Sequence, residues 1–149
     1  MPLYGEYEAS PSDWVRNQVE TYESSEGRQG NTLGESNLPV VIVTSLGSRS
    51  GKIRKTPLMR VEHSGQYALV ASKGGSKDHP LWYHNLKASP GLIMIQDGSR
   101  VLDYRVEEVS GEERELWWAR AVEAFPPYDE YATKTSRLIP VFVAMPLDQ

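Results

Sequence analysis

Two short islands in the middle of this 149-residue chain carry side chains suited to holding an anion: GSRSGKIRKTP at 47–57 and SKGGSKDHPLWYHNLK at 72–87. Across residues 47–87 there are eight of the chain's Lys and Arg (Arg49, Lys52, Arg54, Lys55, Arg60, Lys73, Lys77, Lys87) but only two acids, Glu62 and Asp78. The whole chain is acidic, with a formal charge of -4 and a pI near 5.4, so half of its positive charge is concentrated in about a quarter of its length. A concave basic surface concentrates anions. Gly51, Gly74 and Gly75 add freedom for backbone N–H groups to close on one, because glycine reaches positive φ without a Cβ penalty. With Trp82 and Tyr83 close behind, the pattern points to a phosphorylated ligand bearing a flat ring.

Other chemistries are excluded or disfavoured. GSRSGKI has three residues between its glycines where a P-loop has four, and Ile53 stands where such a loop needs a magnesium-binding Ser or Thr. The chain has no cysteine, which removes disulfides, thiolate catalysis and cysteine-ligated metals. His63, His79 and His84 lack metal-site spacing and read as structural. Nucleic-acid binding is disfavoured, since such domains are usually basic overall. The apolar runs are far shorter than the roughly 20 residues of a membrane span, and residues 1–14 carry no secretory pattern. The expected location is therefore the cytoplasm.

Elements that would position these islands follow from periodicity. Ser12-Asp13 ahead of Trp14, Val15, Gln18, Val19 and Tyr22 predicts an amphipathic helix over 11–23. Glu20, Glu23 and Glu26 favour its packing on the protein rather than on anionic lipid. Residues 26–39 read as a loop. Strands are expected at 40–46, 58–63, 67–72, 92–96, 100–109 and 139–145, with turns at Ser64-Gly65 and Asp97-Gly98-Ser99. His79-Pro80 opens a helix carrying Leu81, Trp82, Asn85 and Leu86. A capping-box pattern at Ser110–Glu113 opens another, which Pro126-Pro127 ends. Residues 128–137 read as a polar, irregular segment. Six strands and about three helices make a mainly β fold of the α+β class. It would close most economically as a small barrel forming one domain over 1–149, its first 35 residues variable. Phe125, Tyr128 and Tyr131, three apart, are either packing aromatics or a wall over a ligand ring.

The ordered pieces TSLGSRSGKIRKTPL, SKGG, HPLWYHNL and RLIPVFV resemble the deazaflavin-dependent nitroreductases of actinobacteria, also called F420H2-dependent quinone reductases. The resemblance covers residues from about 39 to the last strand. It implies a six-stranded split β-barrel like that of the flavin-mononucleotide (FMN)-binding oxidases, with coenzyme F420, an 8-hydroxy-5-deazaflavin, in place of flavin. It implies hydride transfer from the reduced coenzyme to a flat acceptor, a quinone or nitroaromatic. By position, the implied cofactor contacts are Ser48, Arg49, Ser50, Arg54, Lys55, Thr56, Pro57, Leu58 and Met59; then Val70, Ala71, Ser72 and Lys73; then Leu81, Trp82, Tyr83, His84 and Asn85; and Tyr128. Phe125, Tyr128 and Tyr131 become the acceptor wall, with Tyr128 a candidate proton donor. A nitroimidazole-reducing member has tyrosines at the positions of Met59 and Phe125, so that substrate does not carry over. It also has a strongly apolar N-terminal helix that this chain lacks, which leaves peripheral membrane contact as the most that is implied. The alternatives are a non-catalytic F420 carrier and an FMN-dependent oxidase on the same fold. Oligomeric state is not implied either way.

Overall fold

A computed structural model describes Leu3 and residues 5–147. The N-terminal helix α1 (Asp13–Ser24) buries Val19 and Tyr22 and leaves Trp14 61% exposed, so the apolar stripe is narrower than its spacing suggests. The strands are β1 (Val40–Leu46), β2 (Ile53–Met59), β3 (Glu62–His63), β4 (Gln66–Val70), β5 (Ile93–Asp97), β6 (Arg100–Val109) and β7 (Val141–Pro146). Helix α2 (Leu81–Ala88) lies between β4 and β5, and α3 (Gly111–Ala124) and α4 (Pro127–Thr133) lie between β6 and β7.

All seven strands form one antiparallel sheet in the order β2-β1-β5-β6-β7-β4-β3. Its two edges are the same stretch of chain. Arg60 N–H donates to Pro39 O at 2.9 Å, while Val61 O accepts from Ala68 N–H at 2.9 Å. Within two residues the chain leaves β1 and joins β4, curling the sheet into a half-barrel. Past Ala68, β4 has no strand neighbour on that side, and β2 has β1 on only one side. The split between these lips runs away from the bend.

There are seven strands rather than the expected six. The expected 58–63 strand is broken by this bend, and part of the basic island, Ile53 to Pro57, is itself strand. Its Lys/Arg-rich sequence hides the alternation, because an edge strand half-exposed on both faces has no apolar face to reveal. Pro57 is tolerated there, as an edge strand does not need every N–H. There are also four helices rather than three. Pro126-Pro127 ends α3, but Pro127 then serves as the first residue of α4, where its missing N–H costs nothing.

Both faces of β1 are buried, which explains its unbroken apolar run. Val41, Val43, Leu69, Ile95, Tyr104 and Phe142 fill the inside, closed by Leu86 of α2. Val40, Ile42, Val70 and Val141 pack outward beneath α1, α3 and α4. At the closed end, Arg60 Nε donates to both Asp97 oxygens (3.1 and 2.9 Å), and the Tyr67 hydroxyl donates to Asp97 Oδ2 at 2.5 Å. Gly98 N–H donates to the Tyr22 hydroxyl at 2.8 Å, joining α1 to the same turn. Gly27 makes this approach possible: a Cβ there would lie 2.5 Å from Gly98 Cα.

Asp97→Ala would leave the Arg60 guanidinium and the Tyr67 hydroxyl without their shared acceptor. The expected loss is about 1–3 kcal/mol, read from urea midpoints at constant m. Burial, the dominant cause, pushes the Tyr22, Tyr67, Tyr104 and Tyr128 phenols up from their ordinary 10.0. Above that pH the native chain keeps protons that the unfolded chain has lost. Stability is therefore fully present below pH 10 and declines as pH climbs past it, and Tyr67→Phe should flatten the decline.

Candidate functional site

The first basic loop is closed by Gly47 N–H to Lys52 O (2.8 Å) and Gly51 N–H to Gly47 O (2.9 Å), with Gly51 at φ +70. It is docked on α2 through Ser48 N–H to Asn85 Oδ1 at 2.9 Å. Two residues expected to serve a ligand thus meet each other, and the buried Asn85 carbonyl positions the loop. Arg49 and Ser50 stand exposed at its tip.

The strand's period of two divides the β2 candidates. Leu58 packs with the inner cluster alongside Trp82 and Tyr83 of α2, which contact Phe142 at ring distances of 6.2 and 5.6 Å. Arg54 and Thr56 alternate with it and share its face. Lys55, Pro57 and Met59 point to the opposite face, where Met59 joins the outer cluster with Val70, Phe125 and Tyr128. One flat ligand would therefore meet side chains from one set and, at most, backbone from the other.

Beyond β4 the chain turns through Ser72 and Lys73–Gly75, where Lys73, Gly74 and Gly75 all have positive φ (47, 63 and 82). For a lysine this is a costly conformation, of order 1 kcal/mol, that needs support from its surroundings. Arg137 supplies it. Its guanidinium donates to Ala71 O (3.2 Å), Ser72 O (2.8 Å), Ser76 O (2.8 Å) and His79 Nδ1 (3.0 Å). His79, accepting at Nδ1, carries its proton on Nε2 and stacks on Tyr83 at 4.2 Å. Burial, and then the Arg137 charge, hold His79 below its ordinary pKa. Exposed Leu81 and His84 of α2 lie on its outer side.

Helix α4 packs directly on this turn, and a Cβ on Gly75 would lie 2.7 Å from Tyr131 O. The three expected wall rings are in mutual contact: Phe125–Tyr128 at 4.9 Å, Phe125–Tyr131 at 6.0 Å and Tyr128–Tyr131 at 6.2 Å. Tyr128 is only 5% exposed, and burial pushes its phenol well up, so it stays neutral throughout the working pH range.

Five of the eight central cations are matched by the protein's own acids: Lys52–Glu6 (3.5 Å), Arg54–Glu8 (2.9 Å), Lys55–Glu23 (2.6 Å), Arg60–Asp97 (2.9 Å) and Lys87–Glu108 (3.0 Å). Arg49, Lys73 and Lys77 have no carboxylate partner among the described residues. Sequence reasoning missed the roles of Arg137, Asp97, Glu6 and Glu8. A lone arginine beside the last strand and acids scattered near the N-terminus carry no local signal of what they will meet. Among the described residues no group of His, Asp or Glu could hold a metal, and no helix is long and apolar enough to cross a membrane.

The chain thus combines an antiparallel half-barrel, a cationic left-handed turn and an aromatic cluster beside that turn. The chain belongs to the F420H(2)-dependent quinone reductase family, whose family model matches residues 14–146. It is 31% identical over 125 residues to the F420H(2)-dependent quinone reductase Rv1261c of Mycobacterium tuberculosis, covering 82% of this chain and 83% of that protein. A solved structure described as an F420-H2 dependent reductase (FDR-A) is 58% identical, with TM-score 0.68, over 72% of this chain and 94% of the other. Another, described as a domain-swapped dimer, is 52% identical with TM-score 0.70, over 91% of this chain and all of the other.

The turn's dependence on its two glycines is directly testable. Gly74→Ala meets nothing within 4 Å and should lose only the left-handed backbone preference, about 1–2 kcal/mol. Gly75→Ala adds the collision with Tyr131 O and should lose distinctly more, seen as the larger fall in thermal midpoint.

Proposed function

We propose that this chain transfers a hydride from reduced coenzyme F420 to a flat organic acceptor such as a quinone. The observation that carries this reading is the adjacency of two features: the Lys73–Gly75 turn, whose cation has no carboxylate partner among the described residues, and the ring cluster Phe125–Tyr128–Tyr131 packed against it through α4. Family membership supplies the coenzyme. The fold is read as a split barrel of the FMN-binding type, forming one cytoplasmic domain.

The residues fit such a coenzyme. Its anionic tail needs counter-charge, and Arg49, Lys73 and Lys77 are cations that no protein carboxylate neutralises among the described residues. Its ring needs flat apolar surface beside the acceptor wall, and Phe125, Tyr128 and Tyr131 offer it on the outer face, packed with Met59 and Val70. Trp82, Tyr83 and Leu58, half-buried on the inner face, would meet at most another part of the coenzyme. Ser48, Ser50, Thr56 and Ser72 offer hydroxyls, while Met59, Val70 and Ala71 are buried and, with half-buried Pro57, would meet the coenzyme mainly through backbone. Arg54 and Lys55 would join only on release from Glu8 and Glu23.

When bound, the reduced deazaflavin supplies two electrons as hydride, as nicotinamides do. The protein's share is to exclude water and hold the acceptor at roughly 3–3.5 Å from the donor carbon. Phe125, Tyr128 and Tyr131 provide stacking worth about 0.5–1.5 kcal/mol per ring pair. The neutral Tyr128 hydroxyl, with no protein partner among the described residues, is a hydrogen-bond donor toward an acceptor oxygen as charge builds there. A wall of rings has few fixed polar contacts, so selectivity among flat acceptors is loose. Quinones are preferred over nitroimidazoles, since Met59 and Phe125 bring no hydroxyl to a nitro group.

The test is steady-state oxidation of reduced F420 by menadione and by a nitroimidazole. Tyr131→Ala should raise the menadione KM severalfold with cofactor affinity unchanged. Tyr128→Phe, which keeps the packing, should lower kcat by about tenfold or more. Tight F420 binding without turnover of any acceptor would mean a carrier, and equal affinity for FMN would mean a flavin enzyme.

A further inference from the structure

Residues 5–8 lie as an extended strap along the free edge of β2. Ile53 N–H donates to Glu6 O at 2.8 Å and Glu8 N–H donates to Ile53 O at 2.9 Å, forming a single parallel bridge at Tyr7. The strap's alternation then sorts its side chains. Glu6 and Glu8 reach Lys52 and Arg54, while the Tyr7 ring lies 4.9 Å from Lys55 Nζ on the other side. Two carboxylates thus stand against two cations on the lip of the split, in the first basic island.

We propose that Glu6 and Glu8 are affinity-setting residues for the coenzyme: their carboxylates stand in for its anionic tail on Lys52 and Arg54 and must be displaced when it binds. The inference rests on the F420 reading above. Its physical basis is the weakness of the tie. The Glu6 and Glu8 side chains are 75% and 45% exposed, and solvent-exposed pairs of this kind contribute little. A single β-bridge holds the backbone. A multiply charged ligand that delivers its anions together can replace two carboxylates whose strap is otherwise exposed. The strap then scales the apparent affinity by the fraction of molecules in which it is undocked, and it keeps the cations neutralised between turnovers.

The experiment compares F420 affinity by fluorescence titration in wild type, in Glu6→Gln/Glu8→Gln, and in Glu112→Gln/Glu113→Gln. The last pair makes the same change of net charge on the exposed first turn of α3. Competition predicts that the strap variant binds about three- to tenfold more tightly at low salt. The control should match wild type, and the gain should vanish near 1 M salt, where screening acts within about 3 Å. In wild type, saturating F420 should speed exchange of the Glu8 and Ile53 amides, whose bonds to Ile53 O and Glu6 O are released. Unchanged or weaker binding by the strap variant, or an equal gain in the control, overturns the proposal while leaving F420 binding intact. No F420 binding by any of the three proteins overturns the cofactor reading itself.

Discussion

Asp97 sits where three parts of the sheet meet, and the half-barrel depends on what it accepts there. Arg60 comes from the bend between β2 and β3, Tyr67 from the start of β4, and Asp97 itself from the end of β5. Strand pairing alone does not say how far the sheet should curl. A carboxylate taking a guanidinium and a phenol together does, because its oxygens hold both donors within hydrogen-bond reach. With the closed end held there, the distance between β2 and β4 at the other end follows from sheet twist. The polar joint and the backbone bonds of Arg60 and Val61 thus lie together at the closed end, outside the candidate site.

Charge is organised on a second principle. An acidic chain has gathered cations along one edge strand and its neighbouring loops, and then answered most of them with carboxylates from elsewhere. Those unanswered among the described residues, Arg49, Lys73 and Lys77, lie in turns and loop tips. Of the five answered, Arg54 and Lys55 lie in β2, Lys52 just ahead of it, Arg60 in the bend and Lys87 in α2, each beside another segment that supplies the acid. A side chain at the tip of a tight turn projects beyond such partners, and its charge stays available.

Much of this was legible in advance. Strands β1 and β6 were expected with their observed bounds, since β-branched runs and clean turns leave little ambiguity. The contact among Phe125, Tyr128 and Tyr131 followed from spacing, although α4, which arranges two of the three, was hidden by the prolines that start it. The β2 strand was illegible for a physical reason: edge position and half-exposure remove the alternation that marks strands. Only residues 53–57 of β2 read as a loop; Leu58 and Met59 fell in the expected 58–63 strand, whose period of two already sets them on opposite faces, and it was the family resemblance that put both in one site. Long-range polar joints were not legible at all, because nothing in the local sequence of Asp97 or Arg137 announces a partner dozens of residues away.

The Arg137 guanidinium has an implication for engineering. It reads the carbonyls of Ala71, Ser72 and Ser76 from a position 65 residues beyond Ser72, at the threshold of β7. The turn is thus a composite object, encoded in two distant places. Anyone grafting the SKGG segment into another scaffold would transplant a left-handed lysine without its clamp, and the loop would relax to a commoner turn. A portable version would have to carry the arginine along, on a strand entering from the same side.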